Sequence, residues 1–400
     1  MKYVIFVPDG MAGLPIEELD DKTCMERAST PNMDAIAARG VVGTARNVPK
    51  GMVPASDVAN LSIMGYDPQK YYCGRGPLEA ANLGVELAEN DVAFRFNTVT
   101  VSDGKMVDYC AGHISTKEAT VLTELLSKEM GGGKFSFYPG TSYRNLMIAH
   151  CAGPEEAENL AKLKCVPPHD ISDKSIARYF PKDPEISDIM KRSVGILEGH
   201  DINRVRIDLG QNPANMIWIW GQGKKPDMPI FKDAYNVSGG VISAVDLIKG
   251  MGRVLGMEVV DVPGATGYYD TDYDGKAKAA VKILEEKDLV YIHVEAPDEA
   301  GHNGDIREKI RAIENFDRKI TGPVIDFLNE GGCAYRVMII PDHPTPVKLK
   351  THTSDPVPFA MCGTGIEPDE VTVFTERAAK VGSMGLKKGS DLMRILLSKD

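Results

Sequence analysis

Apolar residues in this chain gather into runs of two kinds. Near the start, "YVIFV" (3–7) is a continuous β-branched and aromatic run that predicts a buried strand. "PNMDAIAARG" (31–40) then shows helical spacing with a glycine stop. Towards the other end, "AKAAVKILEEKD" (277–288) predicts a helix and "LVYIHV" (289–294) a strand. "REKIRAIENFDRKITGPVIDFLNEGG" (307–332) predicts one long amphipathic helix or a pair, and "YRVMIIP" (335–341) a further strand. Fully apolar strands separated by helices predict an α/β core, with a mainly parallel sheet covered by helices on both faces.

The middle of the chain follows another rhythm. "DVAFRFNTVTV" (91–101) and "MVDYCAGHIS" (106–115) read as alternating strands joined by the turn "SDGK". "TKEATVLTELLSKEM" (116–130) predicts an amphipathic helix closed by glycines, and "FSFYPGTSYRNLMIAH" and "NMIWIWGQG" add strands. Helical spacing resumes at "VISAVDLIKGMGRVLG" (241–256). The expected organisation is a core domain of 1–80 plus 230–400, with a smaller α+β domain inserted at 81–229.

Composition narrows the classes. The chain has 400 residues, 43% hydrophobic and 26% charged, which suits a soluble protein of two domains. A net charge of −11 argues against a nucleic-acid partner, which needs a basic face. The seven cysteines are scattered with no C-x-x-C, as expected for reduced thiols in a cytoplasm. No apolar stretch reaches the roughly 20 residues of a membrane span. The first run is too short for a secretory signal, so the expectation is a cytoplasmic protein away from membranes. The pattern does not set an oligomeric state.

Chemistry concentrates after the predicted core strands. Ligands of open parallel sheets bind beyond the carboxyl ends of the strands. There, "YVIFVPDG" supplies Asp9, "YIHVEAPDEAGH" supplies Asp298 and His302, and "VMIIPDH" supplies Asp342 and His343. "LKTHTSDPVPF" adds His352. Taken singly, each histidine reads as a loop residue and each aspartate as a turn former. Together, three converging carboxylates would repel one another unless cations held them. Two divalent cations balance three aspartates and one further ionised ligand. Mixed Asp/His donors suit manganese or zinc better than calcium. Ser56, at the start of a helix predicted within "KGMVPASDVANLSIMGYDP" (50–68), reads equally as an N-cap or as a nucleophile in a site that welcomes phosphate. The chain has no P-loop and no G-x-G-x-x-G after a strand.

A series of motifs carries a resemblance. "VPDGM", "ASDVANLSIMGYDP", "YYCGRGPLEAANLGV", "PGATGYYDTDYDGKA", "APDEAGHNGD", "PDH" and "THTSDPVPF" resemble, in order and over nearly the whole chain, archaeal-type cofactor-independent phosphoglycerate mutases of the alkaline phosphatase superfamily. The resemblance implies an alkaline-phosphatase-like core with two metal ions, manganese foremost and zinc, cobalt or magnesium as alternatives. It implies that Asp298, His302 and His352 hold one ion, and that Asp9, Ser56, Asp342 and His343 hold the other. Ser56 would carry the phosphoryl group between the two hydroxyls of phosphoglycerate, without 2,3-bisphosphoglycerate. The segment 81–229 would be a substrate-binding lid. "HVEAPDEAGHNGD", with Glu295 where such mutases tend to have lysine, and "NMIWIWGQGKKP" also resemble a sister branch proposed to be homoserine kinases. A phosphorylated three-carbon acid needs cations around it. Arg75, Arg95 and Arg144 are the candidates, with His113 as an acid/base.

Overall fold

The first apolar run forms β1 (Lys2–Pro8) in the computed structural model, which describes residues 1–398. The strands that follow are β2 (Gly40–Arg46), β3 (Asp91–Ser102), β4 (Lys105–Asp108), β5 (Phe135–Tyr138), β6 (Arg144–His150) and β7 (Met216–Lys224). They continue with β8 (Gly239–Ile242), β9 (Glu258–Val260), β10 (Leu289–Val294), β11 (Tyr335–Ile339), β12 (Val357–Gly363) and β13 (Gly385–Lys388). The chain divides into two compact units, Met1–Tyr72 with Met228–Asp400, and Cys73–Asp227.

The first unit carries an eight-stranded sheet in the order β13-β2-β12-β11-β1-β10-β8-β9. Every pairing is parallel except those of β12 with β11 and β2. Every residue of β10, and all of β1 after Lys2, is buried, so both faces of the sheet are covered. This is the α/β, mainly parallel arrangement expected from the apolar runs. Register fixes the edge where chemistry can sit. Phe6 lies opposite both Ile292 and Ile339, so β1, β10 and β11 end together. Asp9, the segment after Val294 and the segment after Ile339 therefore leave the sheet side by side.

Two local expectations need correction, and a third is resolved in favour of a pair of helices. Val241 and Ile242 are strand, not helix, because they pair with Tyr291 and Ile292; the helix begins at Asp246. Of the run "MVDYCAGHIS" (106–115) only the first three residues are strand, within Lys105–Asp108. The Asp108 carboxylate accepts the Cys110 and Gly112 amides and turns the chain, and Ala111 and His113 take positive φ. The long pattern at 307–332 is helical as Ile306–Phe316 and Gly322–Glu330, joined by a π-turn at Asp317–Thr321. That turn presents Asp317 to the amides of Asn32 and Met33, at the start of the Pro31–Ala38 helix.

The second unit is a five-stranded antiparallel sheet, β4-β3-β6-β5 with β7 also on β3. Phe94, Phe96, Trp218 and Ile219 form its core with Leu122 of the Thr116–Met130 helix and Ile189 of the Pro184–Leu197 helix. No helix among the described residues is long and apolar enough to cross a membrane.

Candidate metal centre

The aligned ends of β1, β10 and β11 bring the predicted aspartates together. Asp9 follows β1 directly, and its amide donates to Val294 O at the end of β10. Gly10 then turns away at φ 61°, and a Cβ there would lie 2.5 Å from Asp298 Oδ1, so only glycine fits. Its amide donates to Asp342 Oδ1 at 3.0 Å. Asp298 and His302 are not loop residues. They sit one turn apart on the Ala296–Asn303 helix, which Pro297 starts immediately after the strand. The spacing of four that joins them in sequence is thus a helical spacing.

Two sets of ligand atoms result. Asp298, His343 and His352 offer donors all within 4.8 Å of one another, and so do Asp9, Asp342 and His343. His302 joins the first set, with Nε2 at 3.1 Å from Asp298 Oδ2 and 2.9 Å from His352 Nε2. Ser56 Oγ joins the second, 3.1 Å from His343 Nε2.

Hydrogen bonding selects the tautomers. His302 Nδ1 faces Lys350 O at 3.1 Å and His352 Nδ1 faces Pro54 O at 3.2 Å, so each Nδ1 carries the proton. The Thr345 hydroxyl donates to Asp298 Oδ1 and therefore accepts from His343 Nδ1, 3.3 Å away. All three Nε2 atoms point inward, with Nδ1–H held by an oxygen behind it. This is the arrangement of metal-binding histidines.

The electrostatics agree. Burial, then the charges of Asp342, Asp298 and Glu295, push the Asp9 carboxyl well above its usual range. Burial lowers His343 to about 4, so it stays neutral. Burial also opposes charge on Asp298, but hydrogen bonds from His302 and His352 win and hold its carboxyl well below the ordinary value. His302 is raised to about 9: burial disfavours its charge and Asp298 more than restores it. Both Asp9 oxygens are buried without an aligned donor. Orphaned carboxylate oxygens facing inward Nε2 atoms fit cations, and nothing in the donor set conflicts with them.

Ser56 is not an N-cap. It is the first residue of the Ser56–Ile63 helix, whose cap, Ala55, has no side-chain bond. Its hydroxyl is half-buried and donates to His343 and accepts no amide of its own helix. Sequence reading missed the residues that fix this arrangement. Asn60 Nδ2 donates to both Ser56 O and Asp342 Oδ2, and the Tyr291 hydroxyl holds Asn60 Oδ1. Buried Lys309 donates to Gly10 O and Thr345 O at 2.7 and 2.6 Å, and to Ala12 O at 3.3 Å.

The four predicted substrate residues lie in the Cys73–Asp227 unit, along one aromatic chain. Arg75 and Arg95 lie over Trp220, at 5.1 and 4.9 Å, and Arg144 lies over Tyr143 at 5.2 Å. His113 packs edge-on against Tyr143. His169, which sequence reading did not single out, links Trp220 to Tyr109, and Tyr109 meets Tyr143. Arg95 is buried and paired with Glu79 at 3.3 Å. Burial first, then the charges of Arg75 and Arg144, lower it to about 10.

Known proteins share this chain from end to end. A 2,3-bisphosphoglycerate-independent phosphoglycerate mutase of Methanosarcina barkeri is 50% identical over 402 residues, 99% of each chain. One of Methanothrix thermoacetophila is 51% identical over the whole of both. This chain belongs to the 2,3-bisphosphoglycerate-independent phosphoglycerate mutase family, a family of enzymes. The family's sequence profile itself matches residues 37–203. A solved protein of Pyrococcus horikoshii is 31% identical, with TM-score 0.84 over 100% of this chain and 98% of that one. The cofactor-independent phosphoglycerate mutase of Thermoplasma acidophilum is 26% identical, with TM-score 0.67 over 99% of each. The relatives thus align with both units of the chain.

Proposed function

We propose that this enzyme interconverts 3-phosphoglycerate and 2-phosphoglycerate through a phosphoserine at Ser56, without 2,3-bisphosphoglycerate. The observation that carries the reading is the Ser56 hydroxyl, left uncapped at a helix N-terminus and turned to His343 beside two sets of buried ligands. Asp298, His302 and His352 hold one divalent ion; Asp9, Ser56, Asp342 and His343 hold the other. Manganese is the first choice for such mixed donors, with zinc, cobalt or magnesium as alternatives. The ions act as Lewis acids on the phosphoryl oxygens and ease ionisation of the serine hydroxyl.

Ser56 Oγ bonds to phosphorus as the P–O bond to the 3-oxygen of the substrate breaks. The positive end of the Ser56–Ile63 helix favours the phosphate placed there. The bound glycerate turns, its 2-hydroxyl attacks the phosphoserine, and the serine is released unchanged. His113 supplies and recovers the proton exchanged with the glycerate oxygens. Arg75 and Arg144, with the Trp220 and Tyr143 faces behind them, hold the carboxylate and phosphate. The Cys73–Asp227 unit is thereby the substrate-binding part, and the other unit the metal-binding core.

One observation keeps a second substrate in the test. Glu295, at the N-cap of the Ala296–Asn303 helix, is an acid close enough to raise Asp9, and it suits a substrate with an amino group. 3-Phosphoglycerate with manganese and no nucleotide should give 2-phosphoglycerate, read through enolase. Mass spectrometry of the quenched enzyme should find phosphate on Ser56. Formation of O-phosphohomoserine from ATP and L-homoserine, with no 2-phosphoglycerate, would transfer the same centre to a homoserine kinase.

A further inference from the structure

Behind Asp9 lies a histidine that the mechanism above does not use. His293, on β10, is fully buried, and its Nε2 is 3.1 Å from Asp9 Oδ2. His343 Nε2 lies towards the other oxygen, 3.7 Å from Asp9 Oδ1. The two carboxylate oxygens therefore have different neighbours, one facing the ligand cluster and one facing His293. His293 Nδ1 is 3.2 Å from Ser243 Oγ, which also accepts the Val245 amide at 3.0 Å. Ser243, His293 and Asp9 form a serine–histidine–aspartate line, but it is no hydrolytic triad. Ser243 is itself buried, and the end of the line that meets the cluster is the aspartate.

We infer that His293 is the positioning residue of Asp9. The Ser243 hydroxyl donates to Nδ1 and so puts the imidazole proton on Nε2, which faces Asp9 Oδ2. This is the reverse of His302, His343 and His352, whose Nδ1 atoms donate to oxygens behind them and whose Nε2 atoms face the ligand cluster. His293 thus differs from the ligand histidines in tautomer as well as place. Its N–H occupies Oδ2 and leaves Oδ1 as the oxygen that Asp9 presents to the cluster. The structure supplies two marks of such a role. Asp9 Oδ1 and Oδ2 and His293 Nε2 are all buried without an aligned hydrogen-bond partner, although Oδ2 and Nε2 are within bonding distance of each other. Such atoms remain buried at a cost unless they are matched when the site is filled. In addition, Ser243 holds the ring at Nδ1, and Lys276 Nζ donates to the backbone carbonyl of His293 at 3.4 Å.

The inference rests on the metal reading above, and its test separates the two. Metal-depleted wild type, His293→Ala, His293→Asn and His293→Gln are titrated with manganese by electron paramagnetic resonance, without substrate. Turnover of 3-phosphoglycerate is then measured at low and saturating manganese. Glutamine can place an amide N–H near the position of Nε2, whereas asparagine reaches only the Nδ1 position. The expected result is that alanine and asparagine weaken one manganese site about 10–100-fold, as loss of such partners usually does, and that glutamine recovers most of it. Saturating manganese should restore kcat, with KM for 3-phosphoglycerate unchanged. Circular dichroism and the melting of the metal-free variants check folding, and His293→Gln keeps the test alive if His293→Ala does not fold. Wild-type manganese affinity in His293→Asn would overturn the inference, as would a glutamine variant no better than alanine. A wild type that takes up no manganese would remove the metal reading and this inference together.

Discussion

Replacing Lys309 with methionine tests how the loops of the metal centre are held. The Lys309 ammonium is fully buried and has no carboxylate in hydrogen-bond contact; it donates to three backbone carbonyls, of Gly10, Ala12 and Thr345. Two of these residues follow Asp9 in the loop after β1, and the third follows His343 by two positions. Methionine matches the stem in volume but donates nothing. The carbonyls of Gly10 and Thr345 then lose short bonds, at about 1–3 kcal/mol for each buried acceptor left unsatisfied. The bond to Ala12 is long and counts for little. Relief of the buried charge returns part of the loss, since burial is the leading cause that lowers the Lys309 pKa. A net destabilisation of about 2–4 kcal/mol follows.

Urea unfolding of the chelated protein measures it. Both tryptophans, Trp218 and Trp220, belong to the Cys73–Asp227 unit, so their fluorescence reports that unit. Far-UV circular dichroism reports both units. The Lys309→Met loss should appear in circular dichroism, accompanied by weaker manganese binding. A loss below about 1 kcal/mol would refute the reasoning, because even one orphaned carbonyl should exceed it. A loss seen only in tryptophan fluorescence would refute it as well.

Ser56→Ala should abolish turnover yet change stability by less than about 1 kcal/mol, because Ser56 caps nothing; a strong fall in the melting temperature would contradict that geometry. Arg95→Ala should destabilise the unit reported by tryptophan fluorescence by about 1–3 kcal/mol, because it removes one buried ion-pair partner of Glu79; a purely kinetic defect would make Arg95 a substrate ligand alone. Exhaustive chelation should lower the melting temperature and stop turnover, with recovery on adding manganese; full activity in protein shown to be metal-free would end the metal reading. Burial lowers Lys276 to about 8 from the 10.5 of a free lysine, so the unfolded chain binds the extra proton between those values. Stability relative to Lys276→Met should therefore rise with pH across that window, by on the order of 3 kcal/mol; a pH-independent difference between the two proteins would refute it.

What could be read from the sequence divides by where the signal lies. The core strands were legible because burial on both sheet faces makes a run apolar throughout, as in "YVIFV" and "LVYIHV". Asp9 and Asp342 were legible because parallel strands that end together release their next residues at one edge. His302 was placed in a loop although its spacing from Asp298 is helical. The glycines and acids of "EAPDEAGHNGD" suggest a turn, but Pro297 starts a helix there. Val241 was read into a helix because a four-residue strand has too few positions to declare its period. Asn60, Tyr291, Thr345 and Lys309 gave no signal at all. Each acts through a partner supplied by the fold, such as the Tyr291 hydroxyl on Asn60, 231 positions away.

The three aspartates, equivalent in sequence, are unequal in the structure, and the inequality says what the centre is built to hold. Asp342 accepts the Gly10 and His343 amides on one oxygen and Asn60 on the other. Asp298 accepts Thr345 and faces two imidazoles. Asp9 accepts nothing aligned, and burial with its neighbours' charge pushes it towards the neutral acid. A fold that only needed three buried acids to be stable would have given Asp9 donors as well, since each unsatisfied oxygen weakens it by about 1–3 kcal/mol. Leaving Asp9 Oδ1 bare makes sense only if its partner arrives from outside the chain. The same reasoning applies to Ser56, whose hydroxyl is withheld from helix capping and turned towards the same ligands. Stability has been given up where the protein needs reactivity, and the residues that give it up are those that a bound ion would satisfy.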